Sequence, residues 1–265
     1  MKLDVNGAET HIATGGKEFD PSLPTVLFLH GSGLDHRSWA LQTRWFAYNG
    51  FSVLAPDFPG HSLSAGEALS TIEAAGEWLA SLLTAAKVKS AHVVGHSQGF
   101  LGALELYKQA PKMVRSIAGI GTSAVMPVNP QLIETAQNSP SKAADMMNRW
   151  SFGKTIHMGA SPTPGMQPIA IGHQIMSNNP LAADLQACGD YQGGNAILPT
   201  ISVPRTLILA GQDKMTPLKA GQAAAQAMDI APSILPDFGH MLPVEAPKEV
   251  LALLKDFILI SESNG

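Results

Sequence analysis

A single cysteine, Cys188, in a chain of 265 residues excludes an internal disulfide and suits a reducing compartment, with the cytoplasm as the expected location. Long apolar runs are missing as well. Nothing approaches the roughly 20 unbroken apolar residues that a membrane span needs, and the opening MKLDVNGAETHIATGG has neither the apolar core nor the cleavage site of a secretory leader. Charge is sparse, at 14% Asp, Glu, Lys and Arg, and the net −4 is scattered. Without a run of Lys or Arg there is no stripe to track phosphates, so the expected partner is a small-molecule substrate and neither nucleic acid nor a membrane. Self-association is left open. There is no internal repeat and no low-complexity tract. What is present is 45% hydrophobic residues, over a length that supports one substantial core.

Asn6-Gly7, between two short alternating runs, predicts a type I′ hairpin. Short apolar runs follow: TVLFLH (25–30), FSVLAPD (51–57), AHVVGH (91–96), SIAGIG (116–121), TLILAG (206–211) and PSILPD (232–237). Each is too short for a helix and rich in Val, Ile and Leu without alternation, the pattern of strands buried on both faces of a parallel sheet. Between them, residues 38–48, 71–85, 98–110, 219–228 and 247–260 carry apolar side chains at three- and four-residue spacing and predict helices. The alternation predicts an α/β fold with helices on both faces of the sheet and ligands bound beyond the C-terminal strand ends. The rhythm breaks from 122 to 203, where helical patterns near 129–138, 141–152, 167–178 and 180–189 are separated by segments such as GASPTPGMQP. This stretch is expected to be a helical cap (lid) inserted into a core made of 1–121 and 204–265.

Gly95-His96-Ser97-Gln98-Gly99 stands where a strand gives way to a helix. A G-x-S-x-G there puts the serine on a strained turn with room for crowded backbones, at a helix N-terminus able to stabilise an oxyanion. A serine needs a base. His240, after the last apolar run, is the candidate; His30 and His96 flank tight turns, and the other histidines lie on loops, early strands or the cap. The imidazole in turn needs a carboxylate. Asp213, just past TLILAG, is preferred over Asp237, which sits too close to His240, and over Asp57, which opens a turn. For the oxyanion, the backbone N–H groups of Ser32 and Gln98 are the expected donors, with Gly33 as the alternative to Ser32.

Taken together, HGSGLDHRSW, APDFPGHSLS, GHSQG, TLILAGQDKMTP and FGHMLPVEAP resemble, in order and spacing, the α/β-hydrolase superfamily over nearly the whole chain. Within it they are most similar to capped carboxylesterases, meta-cleavage-product C–C hydrolases and cofactor-free haloperoxidase-like enzymes. The resemblance implies a mostly parallel sheet of about eight strands, a lid after the sixth, no metal and no organic cofactor. It also implies a triad of Ser97, Asp213 and His240 with an oxyanion hole at Ser32 and Gln98. Gln98 departs from the frequent Met, HGSG from the HGGG form, and Leu34-Asp35-His36 from the Gly-Pro-Gly of many C–C hydrolases. A serine nucleophile disfavours dehalogenase and epoxide hydrolase chemistry. The expected activity is hydrolysis of a small, largely apolar carboxylic ester through an acyl-enzyme. C–C hydrolysis of a vinylogous diketone by the same residues is the alternative, and a hydrolase-like ligand receptor is the contrasting class. In the cap, Met146, Met147, Trp150, Phe152, Met158 and Met166 suit an adaptable apolar pocket, with Met146, Met147 and Trp150 expected to contact the substrate.

Overall fold

Asn6 (φ 55°) and Gly7 (φ 84°) both occupy the left-handed region that a type I′ turn requires. They join β1 (Lys2–Val5) to β2 (Ala8–Ala13) in antiparallel register, Val5 opposite Ala8, and the Asp4 carboxylate accepts the Gly7 N–H at 2.9 Å. The structure is a computed structural model that describes residues 1–154 and 166–263. After the hairpin come β3 (Thr25–Leu29), β4 (Ser52–Pro56), β5 (Ala91–His96), β6 (Val114–Ile120), β7 (Arg205–Ala210) and β8 (Ser233–Leu235). The eight strands lie in the order β1-β2-β4-β3-β5-β6-β7-β8, antiparallel as far as the β2–β4 pair and parallel from β4 onward.

Helices fill the crossovers. α1 (Ala40–Tyr48), α2 (Ile72–Ala85) and α3 (Gln98–Gln109) precede β6. Between β6 and β7 come α4 (Pro130–Asn138), α5 (Pro140–Ser151), α6 (Met166–Asn178), α7 (Leu181–Asp190) and the short α8 (Gly194–Ile197), with no strand among the described residues. α9 (Leu218–Ala227), a short α10 (Leu242–Glu245) and α11 (Pro247–Ser263) complete the chain. Local chemistry sets several starts: the Thr71 hydroxyl caps α2 by accepting the Ala74 N–H, and Asn129 accepts the Gln131 N–H ahead of Pro130 in α4. The periodicity from Ser38 divides in two. Asp35 caps a 3₁₀ turn over His36–Trp39, and α1 starts only at Ala40. Among the described residues no helix is long and apolar enough to cross a membrane.

Every residue of β3, β4 and β5 is buried, so alternation is invisible in their sequences although side chains still alternate in space. Leu27, Leu29 and Val93 pack with Leu79 of α2 and Leu104 of α3 on one face. Val26, Phe28 and Val94 pack with Phe46 of α1 and Val250, Leu254 and Ile258 of α11 on the other. A third cluster joins Leu132, Ala143, Met147, Met176 and Leu185 of α4–α7 to Leu34, beyond β3, and Met241, beyond β8. The pairings Leu29↔Gly95, His96↔Ile120 and Ile120↔Ile208 bring the C-terminal ends of β3, β5, β6 and β7 side by side. The loops that leave those ends are therefore neighbours.

Candidate active site

β5 ends at His96 and α3 begins at Gln98, leaving Ser97 alone in the turn at φ 52°, ψ −124°. For a residue with a side chain this conformation costs on the order of 1–3 kcal/mol. It is over-determined by its bonds: the Ser97 N–H donates to Ile120 C=O at 2.9 Å, and its own C=O accepts the Phe100 N–H (3.0 Å) and the Thr122 hydroxyl (3.1 Å). A Cβ on Gly95 would stand 2.4 Å from Phe100 N, and one on Gly99 2.4 Å from Leu29 O. The glycines of G-x-S-x-G are steric requirements of this turn.

His240 lies on the loop after β8 and Asp213 on the loop after β7; both are buried. His240 Nδ1 is 2.8 Å from Asp213 Oδ2, while Asp213 Oδ1 accepts the N–H groups of Met215 (2.8 Å) and Thr216 (2.7 Å). One carboxylate thus caps its own turn with one oxygen and holds the imidazole with the other. Of its rivals, Asp237 is exposed. Asp57 Oδ1 accepts from the backbone N–H of His36 at 2.9 Å and lies 2.7 Å from its ring Nδ1, and Oδ2 accepts from Leu63.

Two further residues hold the His240 loop. His240 C=O lies 2.9 Å from His96 Nε2; a carbonyl only accepts, so the His96 proton is on Nε2, and Nδ1 is left without a partner. Burial, then the nearby His240, lower the His96 pKa to about 3, which keeps that ring neutral. The buried Glu245 carboxylate accepts the N–H groups of Gly153 (2.8 Å), Gly239 (3.1 Å) and Met241 (3.1 Å), tying the loop to the chain leaving α5. Burial raises the Glu245 pKa in spite of those bonds.

Among the described residues neither the Ser32 N–H nor the Gln98 N–H has an acceptor. The Gln98 group is one of the unpaired donors at the positive end of α3. The side chains of the same two residues meet, Ser32 Oγ donating to Gln98 Oε1 at 2.5 Å. Gly33 differs: its N–H donates to Asp184 Oδ2 at 2.6 Å and is not available to a ligand.

Ser97, His240 and Ser32 line one cavity of about 190 Å³, walled by Leu34, Met126, Leu132, Met147, Trp150, Met176, Leu185, Met215 and Met241. Of the cap residues expected at the substrate, Met147 and Trp150 line this cavity. Met146 does not: one step along α5 turns a side chain by about 100°, and Met146 packs, half-buried, against the apolar cluster of α4–α7, Leu34 and Met241. Phe152 borders a neighbouring groove instead. Met158 and the side chain of Met166 lie outside the described residues. Sequence reasoning passed over Met215 and Met241, whose position two residues after Asp213 and one after His240 was a usable signal. It also passed over Met126 and Met176, which carried none. Among the described residues, His11, His36 and Asp57 are the grouping whose possible ligand atoms approach within 4.8 Å. They do not line the Ser97 cavity, and Asp57 is already engaged in holding His36 and Leu63.

The sequence model of the alpha/beta hydrolase family matches residues 26–253. Among curated proteins, the chain is 25% identical over 245 residues to Protein ABHD8 of Mus musculus, covering 88% of this chain and 55% of that protein, so it spans about half the length of that relative. It is 24% identical over 266 residues to 3-oxoadipate enol-lactonase 1 of Acinetobacter baylyi, covering 97% of this chain and 92% of that one. Among solved structures, the enol-lactonase from Burkholderia xenovorans LB400 has the same fold, with a TM-score of 0.87 at 21% identity over 98% of this chain and 100% of the other.

Proposed function

The chain belongs to the α/β-hydrolase family, and from that premise we propose that it is a serine hydrolase cleaving a small, largely apolar carboxylic ester through an acyl-enzyme. One observation carries the reading. An imidazole paired with a buried carboxylate shares a cavity with a serine on a strained turn, beside two unpartnered backbone N–H groups.

Ser97 Oγ attacks the ester carbonyl while His240 Nε2, the ring nitrogen not engaged by Asp213, takes its proton. Asp213 keeps the other proton on Nδ1 and stabilises the imidazolium. The oxygen of the tetrahedral intermediate receives the N–H groups of Ser32 and Gln98, each such donor being worth roughly 10²–10³ in rate. His240 then protonates the departing alcohol, and an acyl-enzyme on Ser97 remains. Water repeats the sequence with His240 as base and releases the acid. A lactone follows the same course with the alcohol still tethered.

The substrate class is read from the walls. A cavity of about 190 Å³ is smaller than the roughly 300–1,000 Å³ of drug-sized sites, and five thioethers and three Leu side chains make much of its apolar wall, beside the polar Asn129, Lys214 and Thr216. Residues 122–203 act as the cap over a core of 1–121 and 204–265, and they supply most of that lining. The names of an enol-lactonase and of esterases among the similar proteins favour an ester or lactone carbonyl. Cys188 lines the same cavity, but burial pushes its thiol up to about 12, so it stays a thiol and not a nucleophilic thiolate, and a free buried thiol suits a cytoplasmic enzyme.

Ser97→Ala is the direct test. It should abolish both labelling by a fluorophosphonate and turnover of p-nitrophenyl esters while the melting temperature stays near wild type. A folded Ser97→Ala protein with undiminished hydrolysis refutes the assignment. A parallel trial of one vinylogous diketone separates ester from C–C chemistry.

A further inference from the structure

His61 is a buried ring faced by two acceptors. Its Nδ1 lies 3.0 Å from the Pro59 C=O and its Nε2 lies 2.8 Å from Asp184 Oδ2. A carbonyl and a carboxylate only accept, and a neutral imidazole has one N–H. Both bonds therefore exist together only in the imidazolium. Burial opposes that charge, but Asp184, the Pro59 carbonyl and Asp57 outweigh it, and the His61 pKa is raised. The adjacent His30, 5.1 Å away between ring centres, is its opposite. His30 Nε2 accepts the Phe58 N–H at 3.2 Å and Nδ1 donates to Gly31 C=O at 2.9 Å, a complete set for a neutral ring. Burial, then the charge of His61, lower the His30 pKa to about 4. The groups facing His61 are thus Asp184, the more distant Asp57 and a neutral His30.

Asp184 comes from α7, in the segment between β6 and β7, whereas His61 and the Gly31–Leu34 loop belong to the sheet side. The same Asp184 oxygen that meets His61 also accepts the Gly33 N–H at 2.6 Å. Asn179, just ahead of α7, donates to Gly33 C=O (3.0 Å) and Leu34 C=O (2.8 Å) and accepts the Ser62 N–H (2.9 Å). Both backbone groups of Gly33, at φ 67°, are thus held by side chains from the segment between β6 and β7. The peptide that donates to Asp184 is the one immediately after Ser32. Its orientation is separated from that of the Ser32 N–H by one pair of backbone dihedrals.

We propose that Asp184 and protonated His61 are positioning residues for the oxyanion donor: they form a latch that keeps the Gly31–Leu34 loop with the Ser32 N–H turned toward Ser97. The proposal rests on the serine-hydrolase reading above. Neither residue lines the cavity, so neither touches the substrate. As pH rises through its raised value, His61 sheds a proton and loses one of its two bonds. The loop loosens, and kcat acquires an alkaline limb that belongs to the latch. Removing the Asp184 charge destabilises the imidazolium, so the limb moves to lower pH.

The experiment compares wild type, Asp184→Asn and His61→Gln from about pH 5 to 10, a range that brackets the ordinary histidine value. The substrate is p-nitrophenyl acetate, and kcat is expressed per site titrated by a fluorophosphonate. Affinity for a small boronic acid, which binds the serine as a tetrahedral anion, is measured alongside. In Asp184→Asn, kcat per site should fall about 10- to 100-fold, short of the loss of a whole donor, with KM little changed. Boronate affinity should fall in step and the alkaline limb should move down; in His61→Gln the limb should vanish. A purely structural role predicts a lower melting temperature and fewer titratable sites, with wild-type kcat per site and an unmoved limb. That result, in whichever variant folds, overturns the latch. Hydrolysis that survives Ser97→Ala overturns the serine reading instead, so the two failures are told apart.

Discussion

Asp213→Asn has an outcome bounded by the bonds the carboxylate makes. Oδ1 accepts two backbone N–H groups, from Met215 and Thr216, and Oδ2 faces His240 Nδ1. An amide keeps only one acceptor. With its oxygen on the two N–H groups, its NH₂ donates to Nδ1; the imidazole proton is then driven to Nε2, which can no longer receive the proton of Ser97. Flipping the amide restores the tautomer but sets NH₂ against two N–H donors. Those lost bonds cost roughly 1–3 kcal/mol each, so the flipped form lies about 2–6 kcal/mol up. At about 1.36 kcal/mol per decade the rate loss falls between about 30-fold and about 10⁴-fold, and the same exchange in a serine protease sits at the upper end, ~10⁴. The assay is kcat/KM on a p-nitrophenyl ester from about pH 6 to 9, a window around the ordinary histidine value, with a thermal melt to confirm the fold. Activity of Asp213→Asn close to wild type, or an equal loss in Asp237→Asn at its exposed position, would show that the imidazole is oriented by something else.

Four other outcomes are expected. Met147→Gln or Trp150→Ala should change the preferred acyl length, because each buried methylene contributes about 0.8 kcal/mol, or roughly fourfold in specificity. Met146→Gln, off the cavity, should leave the profile of an ester series unchanged. Glu245→Ala removes the acceptor of three buried N–H groups and should destabilise by about 3–5 kcal/mol in urea titrations, with a matching loss of activity as the His240 loop loosens. The stability that His61 draws from Asp184 should be fully present below about pH 6.5 and disappear as pH rises through the raised folded value. A wild-type urea midpoint that falls across that window, and flattens in Asp184→Asn, checks the sign.

The local elements were legible in the residues. Runs such as TVLFL and AHVV name doubly buried strands because no polar residue interrupts them, and the break in rhythm after Gly121 marks where the strands stop until Arg205. Asn6-Gly7 specifies its turn through backbone conformations that few other pairs adopt. Ser97 could be singled out because the glycines at 95 and 99 answer a steric demand made within a few residues of chain. Asp213 and His240 could be placed because strand ends are where such sheets gather their chemistry.

Only the tertiary structure decided the rest. Whether Ser32 or Gly33 offers a free N–H depends on Asp184, 151 positions away, and the charge of His61 depends on the same carboxylate. Met146 and Met147 are alike as residues, yet one step along α5 leaves the first half-buried against the apolar cluster and makes the second a buried member of it that also lines the cavity. Met126 and Met176 reach the same cavity from separate segments between β6 and β7. The physical reason is that apolar spacing records which face of an element is buried, a property of consecutive residues. The partner of a polar group is set by which segments meet at the strand ends. That meeting is fixed by packing across the whole chain, and no stretch of sequence carries it alone.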